Sequence, residues 1–144
     1  MSRGFTLIEL LVVMTILTLV LVIVPPMFSS SLTTASLKGA ARDVAAGLRR
    51  ARSEAITRNQ ETGFRLDLEA RSYTIGGEQT SLSLPADVEL VLFTAVSERT
   101  GETTGAIRFF PDGSSTGGGI TLVDGDRKFD VMVDWLTGRV TIVD

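Results

Sequence analysis

Three patterns of hydrophobic and polar positions follow one another along the chain. From Phe5 to Val24 it reads FTLIELLVVMTILTLVLVIV, apolar almost throughout, with Glu9 as its one charge. A helix of about 20 residues rises roughly 30 Å, the thickness of a bilayer's hydrocarbon core, so this run predicts a membrane-spanning helix. Pro25 and Pro26 follow at once. Each withdraws a backbone donor and crowds the preceding turn, which predicts a kink or break there.

Between residues 35 and 58 the apolar and small positions become periodic. Leu37, Ala41, Val44, Leu48, Ala51 and Ala55 recur at steps of four and three, which makes one stripe on an amphipathic helix. The stripe is expected to pack on the chain's own C-terminal head. Gly39 and Gly47 weaken the helix by about 1 kcal/mol each relative to alanine. Arg49, Arg50 and Arg52 fall mostly off the stripe and face solvent or a neighbour.

From Gly63 onward the period is two. FRLDL (64–68) and SYTIG (72–76) predict a hairpin turning near Glu69 to Arg71. Further strands are predicted in VELVLFT (88–94), AIRFF (106–110), GITLVDG (119–125) and FDVMVDW (129–135), and a last hairpin turns at 136–139 into VTIVD. In the sixth of these segments Phe129, Val131, Val133 and Trp135 form one apolar face, opposite Asp130, Met132 and Asp134. Pro111-Asp112-Gly113 and Thr137-Gly138 carry the residues that tight turns need. The fold class is therefore α+β: a long N-terminal helix, transmembrane then amphipathic, with a C-terminal antiparallel β-sheet head. With 144 residues there is room for one such domain beside the helix, not two.

Composition removes several chemistries. The chain has no His and no Cys. Ser-His-Asp and Cys-His catalysis, histidine and thiolate metal sites and disulfides are thereby excluded. Charge is divided unevenly. From Leu37 to Arg58 there are six basic and two acidic residues, and from Asn59 to Asp144 seven basic and fourteen acidic. A basic helix thus carries an acidic head, which reads either as solvated surface charge or as complementarity between neighbouring subunits. The glycine-rich DGSSTGGG (112–119) lacks the lysine and the strand-to-helix setting of a P-loop and reads as a turn. Asp124, Asp126, Asp130 and Asp134 lack the spacing of a calcium loop, so no metal and no cofactor is expected.

The first segment is not built as a secretory signal peptide, because no small-residue cleavage site follows its apolar core. The small residue placed for processing is Gly4, before the core. A carboxylate such as Glu9 inside a spanning helix costs about 2.5–3.5 kcal/mol, so it either snorkels to the nearby interface or takes a partner of opposite charge. Cleavage after Gly4 would create one, the new amine of Phe5. That amine is badly placed for its own Glu9, one turn away along the axis. It can reach Glu9 of a neighbour shifted along the axis, which would turn a buried charge into a rule for subunit stagger.

Gly4 followed by FTLIELLVVM resembles the N-terminal motif of type IV pilins and of the pseudopilins of type II secretion. IRFFPDGSSTGGGITL (107–122) and VDWLTGRVTIVD (133–144) resemble the H-type minor pseudopilins of the general secretion pathway and the related FimT pilins. The resemblance implies a leader at 1–4, cleavage between Gly4 and Phe5 by a prepilin peptidase, N-methylation of Phe5, and assembly through Phe5 and Glu9. The family's proline at the end of the membrane segment matches Pro26, with Pro25 an addition. The implied layout is a transmembrane assembly helix at 5–26, an amphipathic helix at 27–58 and a β-rich head at 59–144. The implied function is that of a minor pseudopilin, not an enzyme, linking the tip complex to the shaft of a periplasmic pseudopilus. Its partners would be other major and minor pseudopilins, the prepilin peptidase, the inner-membrane secretion platform and, before assembly, membrane lipid. Its place would be the bacterial inner membrane, crossed once, with the head in the periplasm. The alternative is a FimT-like minor pilin of a type IV pilus with a role in DNA uptake. A nucleic-acid ligand would need a basic groove, and the head is acidic, so none is expected.

Overall fold

The computed structural model describes residues 6–78, 81–94, 101 and 103–144, and between 21 and 33 it describes the backbone alone. The chain forms two compact units, Met1–Thr33 and Thr34–Asp144.

One helix, α1 (Leu7–Arg58), contributes to both units. It starts on a side-chain cap: the Thr6 hydroxyl oxygen accepts the Glu9 N–H at 3.3 Å and the Thr6 carbonyl accepts the Leu10 N–H at 3.2 Å. Thr6-Leu7-Ile8-Glu9 has the threonine-to-glutamate spacing of a capping box. Of the kink or break expected at Pro25 and Pro26, the break is absent, since α1 is helical across both residues. Each proline removes one N–H, and the helix on either side keeps the rest of its ladder. The helix stops after Arg58 in a Schellman motif. Asn59 adopts φ 52°, the Gln60 N–H reaches the Ala55 carbonyl at 3.2 Å, and the Asn59 N–H reaches that of Ile56 at 3.4 Å.

Among the described residues eight strands follow in the second unit: β1 (Thr62–Asp67), β2 (Ser72–Ile75), β3 (Leu82–Ser83), β4 (Glu89–Phe93), β5 (Thr104–Phe109), β6 (Gly118–Asp124), β7 (Arg127–Val133) and β8 (Val140–Val143). The predicted strands are all present, and the two-residue β3 is additional. The head holds two four-stranded sheets rather than one, ordered β3-β2-β1-β5 and β4-β6-β7-β8. All pairings are antiparallel. The predicted β1–β2 hairpin is closed by Asp67, whose carboxylate accepts the N–H groups of Glu69 at 3.0 Å and Ala70 at 2.8 Å.

One core joins the second half of α1 to both sheets. The six stripe residues from Leu37 to Ala55 are completely buried, against Phe64, Leu66, Ile75, Ile107 and Phe109 of the first sheet and Ile120, Leu122 and Val131 of the second. Gly47 belongs to this contact. A Cβ there would stand 2.8 Å from the Tyr73 ring and 2.9 Å from that of Phe64, two rings stacked with centroids 4.7 Å apart. The missing side chain is what lets the ring pair lie against the helix. Trp135 corrects the expected face of β7. The strand ends at Val133, the alternation ends with it, and Trp135 stands exposed in the following turn.

Candidate assembly surface

The first surface lies in the N-terminal unit. From Leu7 to Val20 the large apolar side chains are 46–82% exposed on every side of the helix. In a globular helix one face would be covered by the chain itself, so this stretch requires an apolar environment supplied by other molecules. Glu9 is exposed in its first turn. Its backbone N–H is used by Thr6, a role for Thr6 that the spacing of Thr6 and Glu9 could have disclosed. Thr15 and Thr18 return their hydroxyls to the carbonyls of Leu11 and Met14, both at 2.7 Å, so neither leaves its O–H unpaired on the apolar surface. Gly4 and Phe5 lie outside the described residues, as do the side chains of Pro25 and Pro26. Among the described residues no helix is long and apolar enough to cross a membrane. The expected span of residues 5–24 extends past both ends of the stretch 6–20 whose side chains are described.

The second surface is on the head, where the β7–β8 turn meets α1. Asp134 organises the turn: its carboxylate accepts the N–H groups of Leu136 at 3.1 Å and Thr137 at 2.8 Å, and the Thr137 hydroxyl at 2.8 Å. These bonds, the Thr137 pair foremost, hold its carboxyl below the usual carboxylate range, with the Arg139 charge adding a smaller push. Gly138 at φ 61° packs on the Gly113 carbonyl and on the Arg52 side chain, an approach closed to any residue with a Cβ. Arg52 Nε donates to that Gly113 carbonyl at 3.0 Å, and Arg49 donates to the Val140 carbonyl at 3.3 Å. Ser115 fixes the turn from the other side, its N–H on the Trp135 carbonyl at 2.8 Å and its hydroxyl on the Asp134 carbonyl at 3.2 Å.

The arginines thus part company. Arg50 pairs with Glu54 at 3.1 Å and with Glu78. Arg71 donates to the carbonyls of Pro85 and Val88 and pins the β3–β4 connection. Sequence alone gave these residues one description, basic and off the stripe or in a turn. The cross-chain partners that separate them are not visible in local spacing.

The two constellations set aside on sequence have structural duties. Asp112 accepts the Ser114 hydroxyl at 2.6 Å and the Ser114 N–H at 3.0 Å, which lowers its pKa and closes the turn after β5. Asp130 accepts the Thr121 hydroxyl at 2.5 Å across β6 and β7, and that bond lowers its pKa before the weaker help of Lys128. Among the described residues no group of three acidic side chains could hold a metal ion.

A long N-terminal helix half-buried in an antiparallel β head, with an apolar N-terminal half left uncovered, defines the class of type IV pilin-like subunits. The crystal structure of the minor pilin FimU of Pseudomonas aeruginosa superposes with a TM-score of 0.60 at 14% identity, covering 77% of this chain and 90% of that one. The minor pseudopilin EpsH of the Vibrio cholerae type 2 secretion system gives a TM-score of 0.58 at 17% identity, covering 75% and 96%. At these identities the likeness establishes the fold alone. The prokaryotic N-terminal methylation motif matches residues 1–25, and the family described as type II transport protein GspH matches residues 40–137. The type II secretion system protein H of Xanthomonas campestris pv. campestris is 33% identical over 138 residues, 96% of this chain and 81% of that protein. The chain belongs to the GspH family of type II secretion minor pseudopilins. Membership makes other pseudopilins its assembly partners, and subunits of this class are in general structural rather than catalytic.

Proposed function

We propose that this pseudopilin links the tip complex of a periplasmic pseudopilus to its shaft, after release of residues 1–4 and methylation of Phe5. The observation that carries the assembly reading is the uncovered apolar stretch Leu7–Val20, interrupted by the single carboxylate of Glu9. Before assembly the covering medium is lipid of the inner membrane, crossed once, with the head on the periplasmic side. After assembly it is the helices of neighbouring pseudopilins, gathered on the inner-membrane platform. In that bundle Glu9 pairs with the amine of Phe5 on a neighbour, and the pair sets the axial stagger. No substrate turnover is involved.

Processing is tested by intact mass of the membrane protein from cells with and without prepilin peptidase. Loss of Met1 to Gly4 plus one methyl, only with the peptidase, is expected; an uncut chain in both strains contradicts it. Gly4→Ser should leave the leader attached. Assembly is tested by Glu9→Ala, which should be processed normally yet absent from sheared fibres. Normal incorporation would remove the pairing argument. The linking role predicts that cells without this subunit retain shaft and tip proteins that no longer co-purify; undisturbed co-purification would exclude it.

A further inference from the structure

A groove of about 360 Å³ opens between α1 and the β7–β8 turn, lined by Arg49, Arg52, Thr137, Gly138, Arg139 and Val140. Three arginines therefore line one concavity. Arg49 and Arg52 are steadied by backbone carbonyls, which leave their positive charge uncompensated. Among the described residues no carboxylate comes within 4.0 Å of any of the three, whereas Arg50, Arg58, Arg108 and Lys128 all have acidic partners at that range. Asp134, the acid whose charge interacts with Arg139, is spent on closing the turn. Immediately beside the groove Trp135 and Leu136 are 66% and 63% exposed on the same turn.

The geometry points to a carboxylate-binding site: we infer that Arg49, Arg52 and Arg139 receive an aspartate or glutamate side chain from the head of a neighbouring pilin-like subunit, with Trp135 and Leu136 as the adjoining apolar anchor. Guanidinium groups match carboxylates in planar, bidentate geometry, and a charge-assisted bond is about twice as strong as a neutral one. Tryptophan and arginine are also the residues that concentrate binding energy at protein interfaces. The turn is fixed in advance by Asp134, Ser115 and the close approach of Gly138 to Arg52, so little ordering is required on docking. Charge favours a protein occupant over nucleic acid. The segment from Asn59 to Asp144 has fourteen acidic and seven basic residues, which repels an extended polyanion but leaves a single carboxylate free to enter a local positive groove. The inference rests on the assembly function proposed above and adds the chemistry of one contact.

The test uses full-length chain in cells, with p-benzoylphenylalanine replacing Leu136 or, separately, Leu11. The Leu11 probe reports assembly and the Leu136 probe the groove. Capture of an identified pilin-like subunit by the Leu136 probe, on a peptide containing Asp or Glu, is expected. Arg139→Glu should lower that capture by about tenfold or more, as expected when one partner of a paired charge is reversed. Arg139 enters the turn through its backbone N–H, which donates to the Thr137 hydroxyl at 3.3 Å and is kept by any side chain at this position, and an unchanged thermal melt will establish that the variant is folded. Exchange of the captured acid for Lys in the partner should restore the cross-link to Arg139→Glu. Capture of lipid or nucleic acid at Leu136, absence of capture there while Leu11 captures subunits, or indifference to Arg139→Glu overturns the site. Failure of both probes overturns the assembly reading, and the site with it.

Discussion

The two halves of α1 are both rich in apolar residues, and they meet opposite fates. Between Leu37 and Ala55 the leucines and valine, with most of the alanines, form one stripe buried by the chain's own sheets. Between Leu7 and Val20 they surround the helix, and every large apolar side chain stays exposed. The contrast shows why one helix can serve two solvents. A stripe can be covered by one head, whereas a helix that is apolar all round has to be covered from all sides, by lipid or by neighbouring helices. Stability of the head therefore resides in the second half, the function proposed above rests on the first half, and substitutions should separate the two.

The largest separation is expected from truncating side chains. Leu48→Ala should destabilise the folded head by about 2–5 kcal/mol in urea unfolding followed by circular dichroism, through lost burial and the cavity left behind. Leu11→Ala should change the same transition by less than about 0.5 kcal/mol, since nothing in the chain packs on it. Equal effects would abolish the distinction between the halves.

The glycines sharpen it further. Helix propensity alone favours alanine over glycine at both Gly39 and Gly47, by about 1 kcal/mol each. A Cβ on Gly39 meets nothing within 4 Å, so Gly39→Ala should raise stability by about 0.5–1 kcal/mol. A Cβ on Gly47 meets the Tyr73 and Phe64 rings below 3.0 Å, and overpacking of that kind costs about 1–3 kcal/mol. Gly47→Ala should therefore be destabilising, with opposite sign to Gly39→Ala. Matching signs would mean that the ring stack can move aside.

At the junction of helix and head, Asn59→Gly should be neutral or slightly stabilising. Asn59→Val should cost about 1–2 kcal/mol, because a β-branched residue resists the left-handed conformation at the helix end.

The smallest effect concerns pH. Asp112, Asp130 and Asp134 all have folded pKa values below the ordinary carboxylate value, held there by hydrogen bonds to the ionised form. Their stabilisation is complete above the unfolded-state value and fades as pH falls through the lowered folded values. Head stability should thus decline in the acid range, less steeply in Asp134→Asn than in the parent. An unchanged slope would mean that the Thr137 contacts do not distinguish the two protonation states.

Much of this contrast was legible in the order of residues. The steps of four and three from Leu37 to Ala55 define a stripe whatever the head looks like, and period two located the strands to within about two residues. The division into two sheets was not legible. It depends on β5 returning to β1 and β4 pairing with β6, contacts between segments far apart in the chain. Trp135 was misassigned because alternation was carried past the last ladder bond into a turn. The groove residues were named only in part, since Arg49 and Arg52 sit on the helix and Arg139 some ninety residues later. The leader motif, by contrast, is contiguous, and contiguous chemistry is what a sequence displays best.

The most direct measurement is photolabelling of the full-length protein in native membranes with a carbene reagent that partitions into the bilayer, mapped residue by residue. The account predicts labelling between Leu7 and Val20, lost once the subunit enters a fibre, and no labelling from Leu37 to Ala55 in either state. Labelling of the second half, or an unlabelled first half before assembly, would contradict it.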